Sequence, residues 1–357
     1  MDSKINKSIN GYGLGLVKGY LYVVRFGCVL KLDSVNLRVV DITTSPALVL
    51  FGLLPRLIQR ILRLNILNSC VSGSCLYFWS KRRYWVLDVA SFEIISKGVF
   101  SKFKCPLNPL PLPESSSLLC GEYFSNPKLN NVKIYSWCKD SFELVDSFGA
   151  GVINHVHSVI SINRPLSNCI VLCGDFEQAS SIWILEKKFN SLKLNKFLYG
   201  EQVYRGSAGF VRGDELIYAT DTTSNDNFII HLSLVSGDII KSVPLPASVI
   251  YGVSFDGVLY FSNNLEASIE SKDLPFLKKW FSSTLPSCFS TATVSFYSYD
   301  GVMLKEYSNF ECDGLPFRLF QYPTCKFVIS GEFLIVNFFA INGYDGRCCF
   351  YKFQDLC

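Results

Sequence analysis

The sequence repeats one unit, in which short segments rich in Val, Ile, Tyr and Phe are separated by turns. The clearest copy covers residues 153–197 and contains the segments INHVHSVISI, CIVLCGD, SSIWILE and FNSLKLNKF. The next copy covers residues 202–245 and runs from QVYRGSAGFV to IIKSVPL. Apolar, β-branched segments bounded by Gly, Asp and Asn are typical of antiparallel strands. Four strands in each repeat of about 40–50 residues are the pattern of a propeller blade.

Less regular copies of the unit fill the remaining sequence. They cover residues 12–41, 64–98, 114–148, 249–308 and 317–354. We therefore predict an all-β fold, a single seven-bladed β-propeller of four-stranded antiparallel blades over residues 1–357. A β-sandwich is the alternative, but a sandwich does not need this many similar units. Two insertions interrupt the pattern, a helical one at residues 44–63 and a rim loop at residues 265–287.

The composition raises the question of a membrane-spanning protein, because 49% of the residues are hydrophobic and only 18% are charged. The longest uncharged stretch near the N-terminus, from Ile42 to Pro55, is shorter than the roughly 18–20 residues of a spanning helix. The N-terminal residues also lack the apolar core of a signal peptide. The fourteen cysteines contain no CxxC spacing. We expect a cytoplasmic protein with reduced thiols.

The basic residues are scattered and the formal net charge is only +4, which argues against a nucleic-acid partner. We expect a monomer. In the helical insertion, Arg56, Arg60 and Arg63 fall on one face, opposite several leucines and isoleucines. One interpretation is a basic amphipathic helix in peripheral contact with the inner membrane. The other is a helix between blades that packs its apolar side on the propeller.

The chain has only three histidines, and two of them are His155 and His157. Residues two apart on a strand point to the same side. This strand opens a repeat, and opening strands line the central channel of a propeller. Two imidazoles on one such face predict a functional site, whereas we expect His231 to be structural.

Further polar residues occupy corresponding places in the neighbouring repeats. They are Glu122, Tyr123, Asp175, Gln202, Tyr204, Arg205 and Asp221. Corresponding strand ends meet at one mouth of a propeller, so we expect a single polar funnel. We place Gln202 and Tyr204 on the opening strand of their repeat, on the same face.

The histidine pair leaves the question of a cofactor open. An HxH sequence can begin a site for a divalent metal, but the third ligand would have to come from Glu122, Asp175 or Gln202. Sequence spacing does not decide whether any of these completes the site.

Several segments resemble a family of bacterial sialidase-like propellers of the BNR or Asp-box type, encoded beside exopolysaccharide, capsule and O-antigen genes. The segments are GEYFSN (121–126), KIYSWCKDSFELVDSFGAGVINHVH (133–157), CGD (173–175), SSIW (180–183), EQVYR (201–205), YATDT (218–222) and NNLEAS (263–268). Residues 136–144 resemble a degenerate Asp-box that keeps Asp140. The resemblance implies an acidic bacterial polysaccharide as partner. The architecture is also similar to that of propeller polysaccharide lyases, which use His with Tyr, Arg or Gln.

The leading hypothesis is a polysaccharide lyase that cleaves a uronic-acid-containing polysaccharide by β-elimination. The reaction needs a cation at the C6 carboxylate, a base for the C5 proton and an acid for the O4 leaving group. We assign the first role to Arg205 helped by Gln202, the second to His155 or His157, and the third to Tyr204 or Tyr123. Glu122, Tyr123, Asp175, Gln202 and Asp221 are expected to bind substrate.

Two other functions stay open. A sialidase-like glycoside hydrolase would use Glu122 with Asp175 or Asp221 as its carboxylate pair. A non-catalytic glycan-binding propeller in capsule or O-antigen assembly would need neither, since a fold does not imply a function. A histidine pair capped by backbone groups would favour this last alternative.

Overall fold

The computed structural model describes residues 7–162, 168–174, 179–188, 191–222, 226–263 and 293–356. The described residues form seven four-stranded sheets in which the paired strands run antiparallel, so the fold is the predicted all-β, seven-bladed propeller. The helices are short. The predicted rim loop, residues 265–287, lies outside the described residues.

The strands follow one another in chain order, four to a blade in most blades. The first three groups are β1 (Lys7–Asn10); β2 (Tyr12–Val17), β3 (Tyr20–Arg25), β4 (Cys28–Asp33) and β5 (Val39–Thr44); then β6 (Asn68–Ser72), β7 (Cys75–Trp79), β8 (Arg83–Asp88) and β9 (Glu93–Val99). The next two are β10 (Leu110–Leu112), β11 (Ser117–Gly121), β12 (Val132–Cys138) and β13 (Ser141–Phe148), then β14 (His155–Ser161), β15 (Asn168–Gly174), β16 (Ser181–Lys188) and β17 (Ser191–Tyr199).

The remaining strands complete the other three blades. They are β18 (Gly206–Arg212), β19 (Glu215–Thr220), β20 (Asn227–Ser233) and β21 (Ile239–Leu245); β22 (Val249–Phe255), β23 (Val258–Asn263), β24 (Thr293–Tyr299) and β25 (Leu304–Glu311); and β26 (Thr324–Ser330), β27 (Phe333–Phe339) and β28 (Arg347–Lys352). The α-helices are α1 (Pro46–Gly52), α2 (Arg56–Ile61) and α3 (Phe317–Phe320). Short 3-10 helices cover Pro113–Ser115, Gln202–Tyr204 and Phe353–Asp355.

The chain divides into two compact units. The first holds the described parts of residues 1–98, 264–297 and 306–357, and the second those of residues 99–263 and 298–305. The prediction of a single domain over 1–357 stays a prediction.

In the first unit, the last blade takes its fourth strand from the beginning of the chain. Its sheet order is β26, β27, β28, β1, and Ile9 pairs with Cys348. The other blades are built from strands consecutive in sequence. This pairing joins two segments more than 300 residues apart and completes the seventh blade.

The middle strands of the blades explain the high apolar content. All five residues of β7 are buried, and Cys169, Val171 and Cys173 of β15 are fully buried. Strands covered on both faces read as continuous apolar runs, because neither face meets water. The fourth strand, by contrast, is largely exposed in β5 and β21. The mean hydropathy of +0.25 therefore reflects buried sheets. No described helix is both long and apolar enough to cross a bilayer.

The insertion at residues 44–63 forms α1 and α2, and the prediction that the helix packs its apolar side on the propeller is wrong, because Leu57, Ile58 and Ile61 of α2 are exposed. Arg60 is only 1% exposed and forms an ion pair with Asp313, while Arg56 pairs with Asp345 at 2.9 Å. These carboxylates draw the arginines inward and leave the apolar side of α2 exposed. Arg56, Arg60 and Arg63 therefore do not form an exposed basic face, and the prediction of membrane contact through them is wrong for Arg60.

The cysteines of the described residues are all free thiols, as expected. Burial raises the pKa of Cys70 and of Cys169 to about 12, so these thiols stay protonated and act as small apolar side chains.

Candidate functional site

Two imidazoles lie in direct contact at the start of β14. The Nε2 atoms of His155 and His157 are 3.0 Å apart, within hydrogen-bond distance. The register of β14 with β15 shifts between Val156 and Ser158, which places His157 in a β-bulge. Bulges re-aim side chains at functional sites. The two histidines lie on the same side, as predicted.

Gly174, the last residue of β15, lies against both rings. A Cβ atom placed on Gly174 would overlap Nε2 of His155 and Nε2 of His157. Glycine at this position therefore permits the close approach of the pair. The sequence alone does not show this steric requirement, because it depends on the pairing of β14 with β15.

The hydrogen bonds of the pair fix where its protons lie. Nδ1 of His157 is 2.9 Å from the carbonyl oxygen of Gly206. Because a carbonyl only accepts, Nδ1 of His157 donates, and in the neutral ring its Nε2 holds a lone pair. Nε2 of His155 then donates to Nε2 of His157. The chain of hydrogen bonds from His155 to Gly206 orients both rings.

Both imidazoles are neutral at physiological pH. Burial, together with the positive charge of Arg205, lowers the pKa of His155 to about 4. Burial lowers the pKa of His157 well below its ordinary value, with contributions from His155 and Arg205. Neutral imidazoles can accept a proton.

A buried ion pair lies beside His157. Nη2 of Arg205 is 3.3 Å from Oδ2 of Asp221, and the same oxygen is 3.7 Å from Nε2 of His157. Both side chains are almost fully buried. The backbone N–H of Asp221 also donates to the carbonyl of Arg205. The pair places one positive and one negative charge against the histidines.

Tyr123, which follows β11, covers the other side of the pair. Its ring packs edge-on against His155, with ring centroids 4.7 Å apart, and contacts His157 at 5.9 Å. Tyr123 and His155 are both partly exposed. We call Tyr123, His155, His157, Arg205 and Asp221 the histidine cluster. Three successive blades of the second unit contribute to it. All five residues were candidates from the sequence, and their role in a functional site stays a prediction.

The structure does not bring Tyr204 and Gln202 into the histidine cluster. Their segment forms a 3-10 helix, because β18 begins only at Gly206, so their predicted place on an opening strand is wrong. Tyr204 packs against the apolar cluster that contains Leu172 and Tyr218. Burial and then Glu201 raise its pKa. Nε2 of Gln202 donates to Oγ of Ser180 at 2.8 Å.

Glu122 is used inside the fold. Its two carboxylate oxygens accept the backbone N–H groups of Lys104, at 2.8 Å, and Lys133, at 3.0 Å. The side chain is 2% exposed, and burial raises its pKa. Both carboxylate oxygens of Glu122 are therefore engaged within the fold, where they brace the segment before β10. Asp175 lies outside the described residues.

A third metal ligand for the histidine pair is missing from the described part of the chain. Those residues contain no group of three or more His, Cys, Asp or Glu side chains arranged to hold a metal ion.

His231 has the structural role that the sequence predicted. Its Nδ1 is 2.6 Å from Oε1 of Glu215, and its Nε2 is 2.7 Å from the hydroxyl of Tyr299. Tyr299 in turn donates to the carbonyl of Gly301. His231 is buried and joins β19, β20 and β24.

Comparison with known proteins identifies the fold and no family. No protein-family model matches the chain, and neither does any curated protein. Among solved structures, U3-55K has a TM-score of 0.54 at 10% identity, covering 98% of this chain and 97% of that one. The WD40 repeats of RRP9 give 0.53 at 10% identity, covering 97% and 99%. The WD40 β-propeller domain of Doa1 gives 0.54 at 10% identity, covering 99% and 98%. Likeness at this identity shows the propeller fold alone.

Proposed function

We propose that the chain is a polysaccharide lyase that cleaves a uronic-acid-containing bacterial polysaccharide by β-elimination, with the histidine cluster as its site. The observation that carries this proposal is the hydrogen-bonded pair of neutral imidazoles packed against the partly exposed Tyr123. Residues from three blades meet there, and together they include a base, an acid and a cation.

His155 is the base in this proposal. Nδ1 of His155 is covered by protein in this structure, so the proposal requires substrate binding to uncover it. Nδ1 then removes the C5 proton, and Nε2–H forms a charge-assisted hydrogen bond to Nε2 of His157. His157 is held in turn by the carbonyl of Gly206. A base oriented by a second group, itself oriented by a third, is the arrangement that makes a catalytic side chain effective. Asp221 stabilises the positive charge that develops on the pair.

Tyr123 is the acid. Its hydroxyl protonates O4 as the C4–O4 bond breaks, while the electrons of the C5–H bond form the C4–C5 double bond. Tyr123 takes this role in place of Tyr204 because it contacts His155. No water is consumed, and each product carries one new end.

Arg205 neutralises the C6 carboxylate of the substrate. The positive charge of Arg205 lowers the pKa of both histidines, so its guanidinium is close enough to interact with both rings. Asp221 holds its guanidinium before substrate binds. A carboxylate that shares this guanidinium would acidify the C5 proton.

The test is ultraviolet absorbance of the unsaturated product during incubation with alginate, polygalacturonate and hyaluronan. We expect Tyr123→Phe and His155→Ala to lower the rate by about 100-fold or more. Tyr204→Phe is the matched control, because Tyr204 lies outside the histidine cluster, and it should keep the wild-type rate. The opposite result for the two tyrosines would refute the assignment of the acid.

One observation favours a second function, a non-catalytic glycan-binding propeller. Nδ1 of His155 is covered by protein, and Nδ1 of His157 is capped by a backbone carbonyl. A base needs access to its substrate, whereas a binding surface at Tyr123 does not. In that case the polysaccharide would retard the wild-type protein in affinity electrophoresis without being shortened, and Tyr123→Ala would remove the retardation.

A further inference from the structure

An apolar patch lies on the first unit around α1 and α2. Its members are all between 37% and 76% exposed: Phe26, Leu53, Leu57, Ile58, Ile61 and Leu62. Large apolar side chains that are exposed singly are ordinary, but a contiguous group marks an interaction surface. Leu57, Ile58 and Ile61 lie on one side of α2, and Leu62 directly follows the helix.

The inward side of α2 explains why the apolar side faces water. Arg56 and Arg60 form ion pairs with Asp345 and Asp313, and Nε2 of Gln59 donates to the carbonyl of Leu54. A helix in a globular protein ordinarily buries its apolar stripe. Here the polar stripe is buried, and the exposed apolar side is available to a partner.

A cavity of about 330 Å³ opens beside the patch, and Phe26 belongs to both. The apolar residues that line it include Tyr12, Phe338 and Phe339. Its lining also contains three arginines and no acidic residue; they are Arg25, Arg56 and Arg347. The volume is near the lower end of ligand cavities, which span about 300–1,000 Å³.

Two of the arginines carry unneutralised charge. Arg56 is paired with Asp345, but Arg25 and Arg347 make no ion pair with any described residue. Nε of Arg25 is buried and has no hydrogen-bond partner among the described residues. A buried N–H without a partner costs free energy that an anionic ligand would recover.

The two unpaired arginines flank one point of the fold. Gly11 donates its N–H to the carbonyl of Gly346, the residue before Arg347, at 2.8 Å. A Cβ atom on Gly11 would lie 3.2 Å from Cβ of Arg25. Gly11 is therefore close to Arg25 and hydrogen-bonded to the residue that precedes Arg347, so the two arginines leave the backbone near the same glycine.

We propose that the apolar patch and the arginine-lined cavity together dock the protein onto a membrane that contains anionic phospholipid. The patch enters the interface between headgroups and acyl chains, and a lipid phosphate enters the cavity beside Arg25 and Arg347. Guanidinium groups match phosphate oxygens in geometry and charge. Charge complementarity favours an anionic lipid over a protein partner, because large apolar side chains lie beside a cavity lined by three arginines and no acidic residue.

Flotation of the full-length protein with vesicles tests the proposal. We expect binding to phosphatidylglycerol–phosphatidylcholine vesicles and at least tenfold weaker binding to phosphatidylcholine alone. The double variant Leu57→Asp/Ile61→Asp should lose binding to both. Arg25→Gln/Arg347→Gln should lose the preference for phosphatidylglycerol and keep the weak residual binding.

The matched control is Val302→Asp, which places a new charge on a valine that is 78% exposed and outside the patch. It should bind the vesicles as the wild type does. Equal binding by the wild type and Leu57→Asp/Ile61→Asp would overturn the proposal. So would a wild type that ignores vesicles but forms dimers that Leu57→Asp/Ile61→Asp abolishes, since the patch would then join two copies of the chain.

Discussion

Gly174 lies where a single methyl group would separate two imidazoles. We predict that Gly174→Ala breaks the hydrogen bond between His155 and His157, because its Cβ would occupy the space of both Nε2 atoms. Overpacking of this kind costs about 1–3 kcal/mol of stability. Activity should fall to the level of His157→Ala while the circular dichroism spectrum stays that of a β protein. Unchanged imidazole resonances in the variant would contradict this steric role.

The lowered pKa values of the histidine pair predict a pH dependence of stability. The folded protein keeps His155 neutral down to about pH 4, whereas an unfolded histidine takes up its proton near its ordinary pKa of about 6.5. Between these values the unfolded state binds more protons, so stability falls as the pH falls through this window. The slope is at most about 1.4 kcal/mol per pH unit for each histidine.

Urea denaturation at pH 7 and pH 5 measures this effect. The wild type should lose more stability between the two values than His155→Gln, in which the titrating group is absent. An identical loss in both proteins would show that the pair does not stay neutral in the folded state.

Several residues of the histidine cluster could be predicted because short stretches of sequence are enough to identify them. His155 and His157 stand out by rarity and spacing, and Tyr123, Arg205 and Asp221 by their places in neighbouring repeats. Tyr204 and Glu122 shared those places, yet one packs into an apolar cluster and the other binds two backbone N–H groups. Such partners come from tertiary packing, which sequence position alone does not contain.

At the scale of elements, α2 shows what an amphipathic pattern leaves undecided. The spacing of Arg56 and Arg60 correctly predicted a helix with a basic side and an apolar side. It did not tell which side faces the protein. That choice depends on Asp313 and Asp345, which lie more than 240 residues further along the chain.

The buried charge of Arg60 predicts a large effect of its removal. Arg60→Leu leaves Asp313 and Asp345 near each other without their shared cation, and breaking a buried ion pair costs about 3–5 kcal/mol. Chemical denaturation should show this loss. The control Arg82→Leu changes an exposed arginine of the same unit and should stay within about 0.5 kcal/mol of the wild type. A mild effect at Arg60 would mean that the ion pairs do not anchor α2.

At the scale of the whole molecule, the propeller was predictable because most blades are consecutive hairpins. Each leaves a local pattern of apolar segments and turns. The exception is the last blade, where β1 pairs with β28. The sequence pattern predicted four strands within residues 317–354, which is wrong for the first of them, because Phe317–Phe320 forms α3. The fourth strand is β1, and its pairing with β28 leaves no local pattern in the sequence.

This long-range pairing predicts the effect of an N-terminal truncation. Removing residues 1–10 deletes β1 and uncovers Cys348 and Cys349, which are fully buried. We expect a loss of about 2–5 kcal/mol from the lost strand hydrogen bonds, at about 1 kcal/mol each, and from uncovered apolar surface. Both thiols should react faster with a disulfide reagent. Removing residues 1–6 keeps β1 and is the matched control; equal reactivity in the two truncations would contradict this role of β1.

The most direct test of the proposed function is mass spectrometry of the polysaccharide products formed in isotopically labelled water. A lyase breaks the chain without adding water, so the new ends should carry no label and one product should be lighter by the mass of a water molecule. A hydrolase would place labelled oxygen in the product. Unsaturated, unlabelled products from the wild type and from Tyr204→Phe, and none from Tyr123→Phe, are the predicted result. Labelled, saturated products, or an intact polysaccharide, would contradict the account.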